Sequence, residues 1–422
     1  MLQPDTQMAT RVSPKEAKRS ALLDVAAAEF NACGISGASL ARIAKAVGIG
    51  RAALYYYVKD RDDLAAQCYR KSCAIMAEDL RAAGRASGKG LDRVLAFLRL
   101  SLDPKRSQTA VLSEVAYLEG ATRRAIVSAQ GANVEALRTL ITAGIADGSI
   151  RACDDEIVAQ TLIGTITWIP LSVEWVEGTG DDFKVRTVEA LCDVIASGEA
   201  RDPHYRFVPP VRIESFFPPP ANAFDRRVVA EAKIEQLLMT ASQLFNQRGI
   251  DGVSLEDLTN ALGATKGAFY HYLDNKSELV VRCYKRAFAL YERFVDAVEA
   301  NAKTGLERAL CGLYLNVQAH TSGLSPLIQM VGITALPPGV RRDITRRARV
   351  IQRRFEQFGE QGLADGSFRK VDFGAVAQLG AGAFEWLPKW FSRDDPRAAS
   401  ALADEIVTLF VRGLKADRSP RA

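Results

Sequence analysis

The chain has few of the side chains that catalysis needs and lacks the commonest catalytic motifs. Its 422 residues include only three histidines, far apart at positions 204, 271 and 320. It has no Gly-x-Ser-x-Gly nucleophile elbow, no Gly-x-Gly-x-x-Gly or Walker phosphate loop, and no His-Glu-x-x-His zinc motif. Because general bases are so scarce, we expect a protein that is not an enzyme and that uses no cofactor or metal ion.

Paired cysteines and long apolar runs are also missing. The seven cysteines form no Cys-x-x-Cys pair and have no histidine nearby, so we expect reduced, buried thiols in a cytoplasmic protein. No stretch approaches the roughly eighteen apolar residues of a membrane span. Residues 1–14 lack the apolar segment of a signal peptide. No segment has a convincing strand pattern, which predicts an all-α fold.

Length and composition are those of a protein with packed domains. A chain of 422 residues suits two or more domains, and 48% hydrophobic with 25% charged residues is ordinary for globular proteins. The net charge of +5 is mildly basic, so it permits a polyanionic partner without requiring one.

Two stretches of the chain repeat each other. Residues 39–57 and 254–272 align without a gap at an offset of 215 residues, and seven of the nineteen positions are identical. Each stretch begins with a serine that can cap a helix, Ser39 or Ser254. Each also has a glycine, Gly48 or Gly263, where a turn needs a flexible backbone. Both stretches are therefore predicted to form a helix-turn-helix.

The duplication extends well beyond this motif. Cys68-Tyr-Arg-Lys matches Cys283-Tyr-Lys-Arg at the same offset, and Trp168-Ile-Pro matches Trp386-Leu-Pro at an offset of 218. A unit of about 190 residues therefore occurs twice, which indicates two fused domains of one kind rather than a solenoid. The predicted parts are helix-turn-helix domains at 14–60 and 228–275, helical regulatory domains at 61–198 and 276–416, and a proline-rich linker at 199–227.

Apolar periodicity predicts that each unit is almost entirely helical. In the first unit we expect helices at 15–32, 90–102, 107–118, 121–147, 154–175 and 182–197, and a capped helix from about residue 60 to 83. The linker could span about 85 Å at ~3.1 Å per residue, enough to return from one unit to the start of the next. Its aromatic residues suggest that part of it lies on a surface; they are Phe207, Phe216, Phe217 and Phe224.

The second helix of each motif, and the residues after it, resemble the tetracycline-repressor (TetR/AcrR-type) family of bacterial transcription regulators. The second unit keeps the pattern closely in Gly263-Ala-Thr-Lys-Gly-Ala-Phe-Tyr-His-Tyr-Leu273; the first departs from it in Gly48-Ile-Gly-Arg-Ala-Ala-Leu-Tyr-Tyr-Tyr-Val58. The match covers about 60 residues of each unit, and the remainder resembles the family more loosely. The resemblance implies, for each unit, a three-helix DNA-binding domain followed by a helical domain that dimerises and binds a ligand.

A helix-turn-helix places the start of its second helix in the major groove. The residues expected near base edges are Gly50, Arg51 and Ala52 in the first unit and Thr265, Lys266 and Gly267 in the second. Arg51 could bond a guanine or grip a phosphate. The resemblance assigns phosphate contacts to Tyr55, Tyr56, Tyr270 and His271. Further phosphate candidates are Ser39, Arg42, Lys59, Ser254 and Lys276.

Some of these residues also have a purely structural interpretation. Ser39 is explicable as a helix cap alone, and Tyr55 could pack within the domain. Tyr57 and Tyr272 are expected in the core. Trp168 and Trp386 are expected in the core or at an interface rather than on a ligand.

The two motifs differ in charge. Residues 11–61 have a net charge of +5, whereas residues 226–276 have a net charge of zero. Glu256 and Asp257 lie in the second unit's supporting helix, where the first unit has Arg42. Because phosphate neutralisation supplies much of the non-specific affinity for DNA, we expect the first unit to contribute more to salt-dependent binding.

Three modes of action remain open on the sequence. The favoured hypothesis is a ligand-responsive repressor whose single chain folds back as a pseudo-dimer, with 154–197 packed on 373–415, and reads an asymmetric operator. The resemblance implies that its effector is a small apolar molecule bound between helices, and Val111–Leu118 and Leu324–Leu336 are apolar segments of that kind. A homodimer of tandem chains with four motifs is the rival. The third is an architectural or interaction protein in which only the first motif binds DNA.

Overall fold

The computed structural model describes residues 13–172, 181–218, 224–328, 336–372, 379–392, 395 and 397–416. All named elements in these ranges are helical. The first unit contains α1 Pro14–Gly37, α2 Leu40–Ala46, α3 Arg51–Leu54, α4 Arg61–Arg85, α5 Gly90–Ser101, a 3-10 helix at Leu112–Tyr117, α6 Gly120–Ala146, α7 Asp155–Ser172 and α8 Asp181–Ser197. The all-α expectation is confirmed for the residues described.

The second unit repeats this order. A short 3-10 helix at Ile213–Phe216 precedes α9 Arg226–Arg248, α10 Leu255–Ala261, α11 Lys266–Tyr272, α12 Lys276–Asn301, α13 Gly305–Ser322, α14 Pro338–Ala364, α15 Leu379–Glu385, α16 Leu387–Trp390 and α17 Ala399–Arg412. Residues 379–390, which correspond to the later part of α7, form two helices in the second unit, α15 and α16, with a break at Trp386. Pro388 lies at the start of α16, where its missing N–H leaves no helical bond unmade.

Side-chain caps fix where the helices of each motif begin. The hydroxyl oxygen of Ser39 accepts a hydrogen bond from the backbone N–H of Arg42 at 3.3 Å, and Ser254 accepts one from Asp257 at 3.0 Å. Gly48 and Gly263, in the turns that follow, have φ of +70° and +60°. Only glycine adopts this backbone without strain, so the predicted turns are confirmed.

The predicted helix at 107–118 is wrong for its first part, and residues 324–328, which match that part in the second unit, are not helical either. Only Leu112–Tyr117 forms a 3-10 helix. The Asn31 side chain binds residues 109 and 111: Nδ2 donates to the Thr109 carbonyl, and Oδ1 accepts from the Val111 N–H at 2.9 Å. Because these backbone groups are already bonded, the segment stays extended.

The second unit uses the equivalent asparagine in the same way. Oδ1 of Asn246 accepts from the Ile328 N–H at 3.0 Å, and Nδ2 donates to the Pro326 carbonyl at 2.8 Å. The expected helix at Leu324–Leu336 is therefore not formed over Leu324–Ile328. Its residues 329–335 lie outside the described part of the chain.

Each motif has its own core, helices of both units share a further one, and α12, α13 and α14 of the second unit enclose another. Leu22, Ile43 and Leu54 are fully buried in the first motif's core, and Phe245 and Leu258 occupy the second. A third cluster joins side chains of both units; it includes Val94, Leu162, Ile195, Leu310 and Phe410. All seven cysteines are free; five are buried, as predicted, whereas Cys33 and Cys153 are partly exposed.

The two units pack on each other with matching contacts. Helices α7 and α8 pack on α15 and α17, the arrangement expected for 154–197 and 373–415, although 173–180 and 373–378 lie outside the described residues. Arg151 donates to the carbonyl oxygen of Gly413 at 2.8 Å, and its equivalent Arg369 donates to that of Gly198 at 2.6 Å. Each arginine thus binds the glycine that ends the other unit's last helix.

The first part of the predicted linker packs on the second unit. The Phe216 ring meets Phe294 edge-on at 4.6 Å, and Phe207 lies 5.6 Å from the Tyr314 ring. Phe224, by contrast, is 97% exposed. Within the described ranges, no helix is long and apolar enough to cross a membrane.

Candidate DNA-binding heads

The first head consists of α1, α2 and α3, held on the start of α4. Ser13 and Glu16 form a capping box that starts α1, and Asp60 caps α4 by accepting from the Asp63 N–H at 2.8 Å. Buried Leu54 at the end of α3 and Tyr69 in α4 join the core that α1 and α2 enclose. This core orients α3 so that its other side faces solvent.

The predicted contact residues at and after α3 in the first head are exposed. Gly50, Arg51, Ala52 and Lys59 are exposed, and a side chain added at Gly50 would meet no atom within 4 Å. Tyr55 is 48% exposed and Tyr56 is 84% exposed. Tyr57, by contrast, packs against the core, as predicted. The surface therefore offers one guanidinium, one ammonium and two phenol groups to a ligand.

The second head presents a similar surface on a longer helix. Thr265, Lys266 and Gly267 are exposed at the start of α11, which has seven residues where α3 has four. Tyr270 is 56% exposed and His271 is exposed beside it. Tyr272 packs against the core, as predicted. Both heads therefore keep an accessible second helix.

The heads differ most at the start of the supporting helix. Arg42 in the first head and Asp257 in the second are equivalent positions. Arg42 is 63% exposed and pairs with Glu29 at 2.6 Å. Asp257 bonds both the hydroxyl and the N–H of Ser254 and pairs with Arg248 at 3.0 Å. These bonds keep the pKa of Asp257 below its ordinary value, so the second head places a carboxylate beside the helix N-terminus that was predicted to bind phosphate.

Two predicted phosphate contacts have different surroundings. The Lys59 side chain is exposed. Lys276 is only half-buried, and its Nζ donates to the Val253 carbonyl at 2.6 Å. Its equivalent Arg61 donates in the same manner to the Ser36 carbonyl at 2.9 Å. A phosphate contact from Lys276 would have to replace that bond, so its predicted role in DNA binding stays a prediction.

The two heads contact each other directly. Ser36 and Asp251 are equivalent residues, and the Ser36 N–H donates to the Asp251 carboxylate at 3.1 Å. Beside this bond, Glu114 of the first unit's 3-10 helix is 1% exposed and accepts from the Ile35 N–H at 2.7 Å. A side chain on Gly249, at the end of α9, would meet Glu114 Cγ at 2.8 Å. Glu114 is therefore wedged between the ends of α1 and α9.

A lysine from the second unit completes this junction. Nζ of Lys389, in α16, donates to the Ser113 carbonyl of the first unit, and it lies 3.5 Å from the Gln247 carbonyl of α9. Burial lowers the pKa of Lys389 to about 7, against the attraction of Glu114. Burial also raises the pKa of Glu114 to about 7, and the nearby Asp251 carboxylate adds to the shift. The group Ser36, Glu114, Asp251 and Lys389 is named the head junction below.

The head junction was missed by the sequence interpretation. Glu114 is the only charged residue in the apolar run Ala110-Val-Leu-Ser-Glu-Val-Ala-Tyr-Leu118, which was a usable local signal. Lys389 had no comparable signal, because its partner lies 276 residues away in the chain. In the described part of the chain, no group of three or more His, Cys, Asp or Glu side chains could hold a metal ion.

Comparison with known proteins matches both parts of each unit. The family model for bacterial regulatory proteins of the tetR family matches residues 22–68 and 237–283. The model for the tetracyclin repressor-like C-terminal domain matches 92–199 and 308–414. The chain belongs to the TetR family. It carries both of the family's domains twice, in tandem.

Individual relatives match shorter regions. The TetR-family chain is 33% identical to the transposon Tn10 TetC protein of Escherichia coli over an alignment of 61 residues. This alignment covers 14% of this chain and 31% of TetC. Over 77 residues the chain is 34% identical to the HTH-type transcriptional repressor NemR of Escherichia coli K12, covering 18% of this chain and 39% of NemR. The chain thus spans less than half the length of these relatives.

Solved structures of TetR-type regulators align with less than half of the chain. The regulator PfmR from Thermus thermophilus has a TM-score of 0.37 at 24% identity and covers 42% of this chain and 98% of its own. AibR, solved with isovaleryl coenzyme A and operator DNA, has a TM-score of 0.36 at 20% identity, with the same coverage.

Proposed function

We propose that this TetR-family chain is a DNA-binding transcriptional repressor whose two heads act as an intramolecular pseudo-dimer. The observation that carries the proposal is the pairing of equivalent elements, α7 and α8 with α15 and α17, within one chain. This pairing supplies two heads on one frame, as two-fold related half-sites require. Each head exposes the start of its second helix, where base contacts are made.

The operator is proposed to be asymmetric. The first head offers Gly50 and Arg51 to the groove, whereas the second offers Thr265 and Lys266. An arginine reads guanine with two bonds, while threonine and lysine present a different set of donors. The two half-sites should therefore differ in sequence, and the fixed head junction should favour one spacing between them.

The repressor is further proposed to respond to a small effector bound among the helices that follow each head. A ligand can change DNA binding only through different affinities for two arrangements of the protein. The head junction is the natural element to distinguish such arrangements, because it joins both heads to α16.

Footprinting on the DNA upstream of the chain's own gene tests the DNA-binding proposal. Hydroxyl-radical protection by the wild type should show two patches about 34–36 Å apart, or a multiple of that distance. Arg51→Ala should weaken one patch and Lys266→Ala the other. Arg212→Ala is the matched control, because Arg212 is 83% exposed and lies outside both heads.

Two other outcomes would replace this proposal. A single patch that is lost only with Arg51→Ala would support an architectural or interaction protein with one competent head, an alternative that the zero net charge of residues 226–276 favours. Sedimentation of the free protein separates the remaining case. A mass near 46.0 kDa at low concentration supports the pseudo-dimer, and twice that mass supports a homodimer with four heads.

A further inference from the structure

The second unit has a partly open cavity among its regulatory helices. Its volume is about 240 Å³, and its walls come from α12, α13, α14 and α15. Trp168 and Glu199 come from the first half of the chain, and the rest of the lining is Leu327, Ile328, Phe368 and Phe410 of the second unit. An apolar cavity of about 150 Å³ holds benzene, and drug-sized ligands occupy about 300 Å³ or more. This cavity therefore suits a molecule of one or two fused rings.

The lining combines aromatic faces with acids. Eight lining residues are aromatic, among them Trp168, Tyr284, Phe288, Tyr291, Phe355 and Phe384. Glu199 and Glu385 are the two acids of the lining, which contains no lysine, arginine or histidine among its described residues. Aromatic faces and carboxylates both attract a cation, whereas an anion here would meet two acids without a counter-charge.

Because they are buried, the protonation of these two acids depends on the charge of the molecule that the cavity binds. It raises the pKa of Glu385 well above the ordinary range, and it raises that of Glu199 to about 8 against the attraction of Arg369. Glu199 is therefore largely protonated at pH 7 while the cavity holds no cation, and burial favours the neutral form of Glu385 in the same way. An ammonium group beside Glu385 would favour the carboxylate, because an opposite charge stabilises the charged form. The pair would then form a charge-assisted hydrogen bond in a site of low dielectric constant.

The same region of the first unit is filled. Gly312 in α13 leaves space that the Phe355 ring enters, whereas its equivalent in α5 is the fully buried Phe97. In the first unit Asn133 of α6 donates to the Cys73 carbonyl of α4 at 3.0 Å, which ties these two helices together. The position equivalent to Glu385 is Thr167, so the acid is also missing.

A buried ion pair fills the first unit further. Asp79 of α4 is 1% exposed and pairs with Arg106, where the second unit has the apolar Phe294 at the position of Asp79. Moving Arg106 away to make room for a ligand would leave Asp79 buried without its counter-charge, which is strongly unfavourable. The residues suited to binding a ligand are therefore those of the second unit.

We propose that the cavity of the second unit binds one small aromatic amine per chain, with its rings among the aromatic side chains and its ammonium group on Glu385. This inference deepens the proposed function, on which it rests, by naming the effector class and confining it to one unit. The cavity reaches the head junction through α15 and α16, since Glu385 and Lys389 line one small adjoining cavity. One amine would thus act on both heads.

Titration calorimetry of the full chain with three matched probes tests the proposal without DNA. The probes share a naphthalene ring: 2-(1-naphthyl)ethylamine, 2-(1-naphthyl)ethanol and 1-naphthylacetate. We expect the amine to bind once per chain and at least about tenfold more tightly than the alcohol, as for a hydrogen bond to a charged group. The carboxylate should bind most weakly. Two amines per chain, or a carboxylate that binds more tightly than the amine, would overturn the proposal.

Variants assign the amine contact to one residue. Glu385→Gln keeps the shape of the side chain, so it should weaken amine binding about tenfold, the loss expected for a charged hydrogen bond, and leave alcohol binding unchanged. Glu189→Gln, at an exposed residue of α8, is the control and should change neither. Equal amine binding by wild type and Glu385→Gln contradicts the assignment. If Glu385→Gln fails to fold, the three-probe order in the wild type still decides the proposal.

The outcome is separable from that of the proposed function. Selective amine binding with no footprint on DNA would leave the cavity assignment intact and remove the repressor. A normal footprint with no preference for the amine would keep the DNA-binding function and remove this inference.

Discussion

Gly164 in α7 and Gly382 in α15 lie against each other where the two helices cross. They are equivalent positions of the duplicated unit, at an offset of 218 residues. A Cβ atom on Gly164 would lie 2.5 Å from the Gly382 carbonyl oxygen, and one on Gly382 would lie 2.6 Å from the Cα of Thr165. Contact between equivalent residues is the mark of a two-fold interface, so the units meet as two subunits of a symmetric dimer would.

This crossing predicts opposite effects of the same substitution at two glycines. Gly164→Ala should lower the free energy of unfolding by about 1–3 kcal/mol, because the added methyl group forces the helices apart. Gly131→Ala, in the open middle of α6 where nothing lies within 4 Å, should raise it by roughly 0.5–1 kcal/mol. Urea unfolding of both variants measures the difference. Stabilisation of equal size by both would show that the crossing is looser than described.

The head junction predicts an interaction energy between Lys389 and Glu114. Lys389→Met removes the donor to the Ser113 carbonyl and the charge that attracts Glu114, so it should destabilise the fold by about 1–3 kcal/mol. Glu114→Gln in the same chain removes the group left without a counter-charge. The double variant should therefore be more stable than the sum of the two single changes predicts, by about 1–3 kcal/mol. Strict additivity in urea unfolding would mean that the two groups do not interact.

Local signals in the sequence predict the parts of this fold that local chemistry decides. Ser39 and Ser254 cap helices, and Gly48 and Gly263 take positive φ, because each of these roles depends on the residue's own side chain or its absence. The duplication can be detected for the same reason, since it consists of identical residues at a fixed offset. These signals were enough to place both heads and the faces that they expose.

Long-range partners decide the parts that the sequence did not predict. The apolar run near residue 110 has helical periodicity, yet Asn31 from a distant helix holds its backbone extended. The pairing of Arg42, a predicted phosphate contact, with Glu29 of α1 was not visible in the sequence either. The cavity depends on Phe355 filling the space beside Gly312, a contact between two different helices. Periodicity along one chain segment contains no information about such partners.

Glu114 predicts a pH dependence of stability that a neutral substitution removes. Its pKa is about 7 in the folded protein and 4.5 ordinarily, so the folded state holds the proton more tightly. The resulting stabilisation is fully present below pH 4.5 and is lost as pH rises to about 7. Relative to Glu114→Gln, the wild type should lose roughly 2 kcal/mol over this interval.

Other charged groups at the junction set the pH window of this measurement. Asp251 and Lys389 both face Glu114. The pKa of Lys389 is about 7 in the folded protein and 10.5 ordinarily, so its contribution to stability falls as the pH drops from 10.5 to 7. Urea unfolding at pH 5, 6 and 7 avoids most of that interval. Glu231→Gln, at an exposed residue of α9, serves as the control and should run parallel to the wild type. A wild type that also runs parallel to Glu114→Gln would contradict the assigned shift.

The unequal charge of the heads predicts unequal salt dependence of DNA binding. Residues 11–61 have a net charge of +5 and residues 226–276 have none, and the carboxylate of Asp257 stands where the first head has Arg42. Each phosphate contact contributes about 0.9 to the slope of log affinity against log salt concentration. Arg51→Ala should therefore reduce this slope by about 1. Lys266→Ala should reduce it by less, because the nearby acids already weaken the binding of phosphate by the second head. Equal reductions, or a larger one from Lys266→Ala, would show that surrounding charge does not rank the heads.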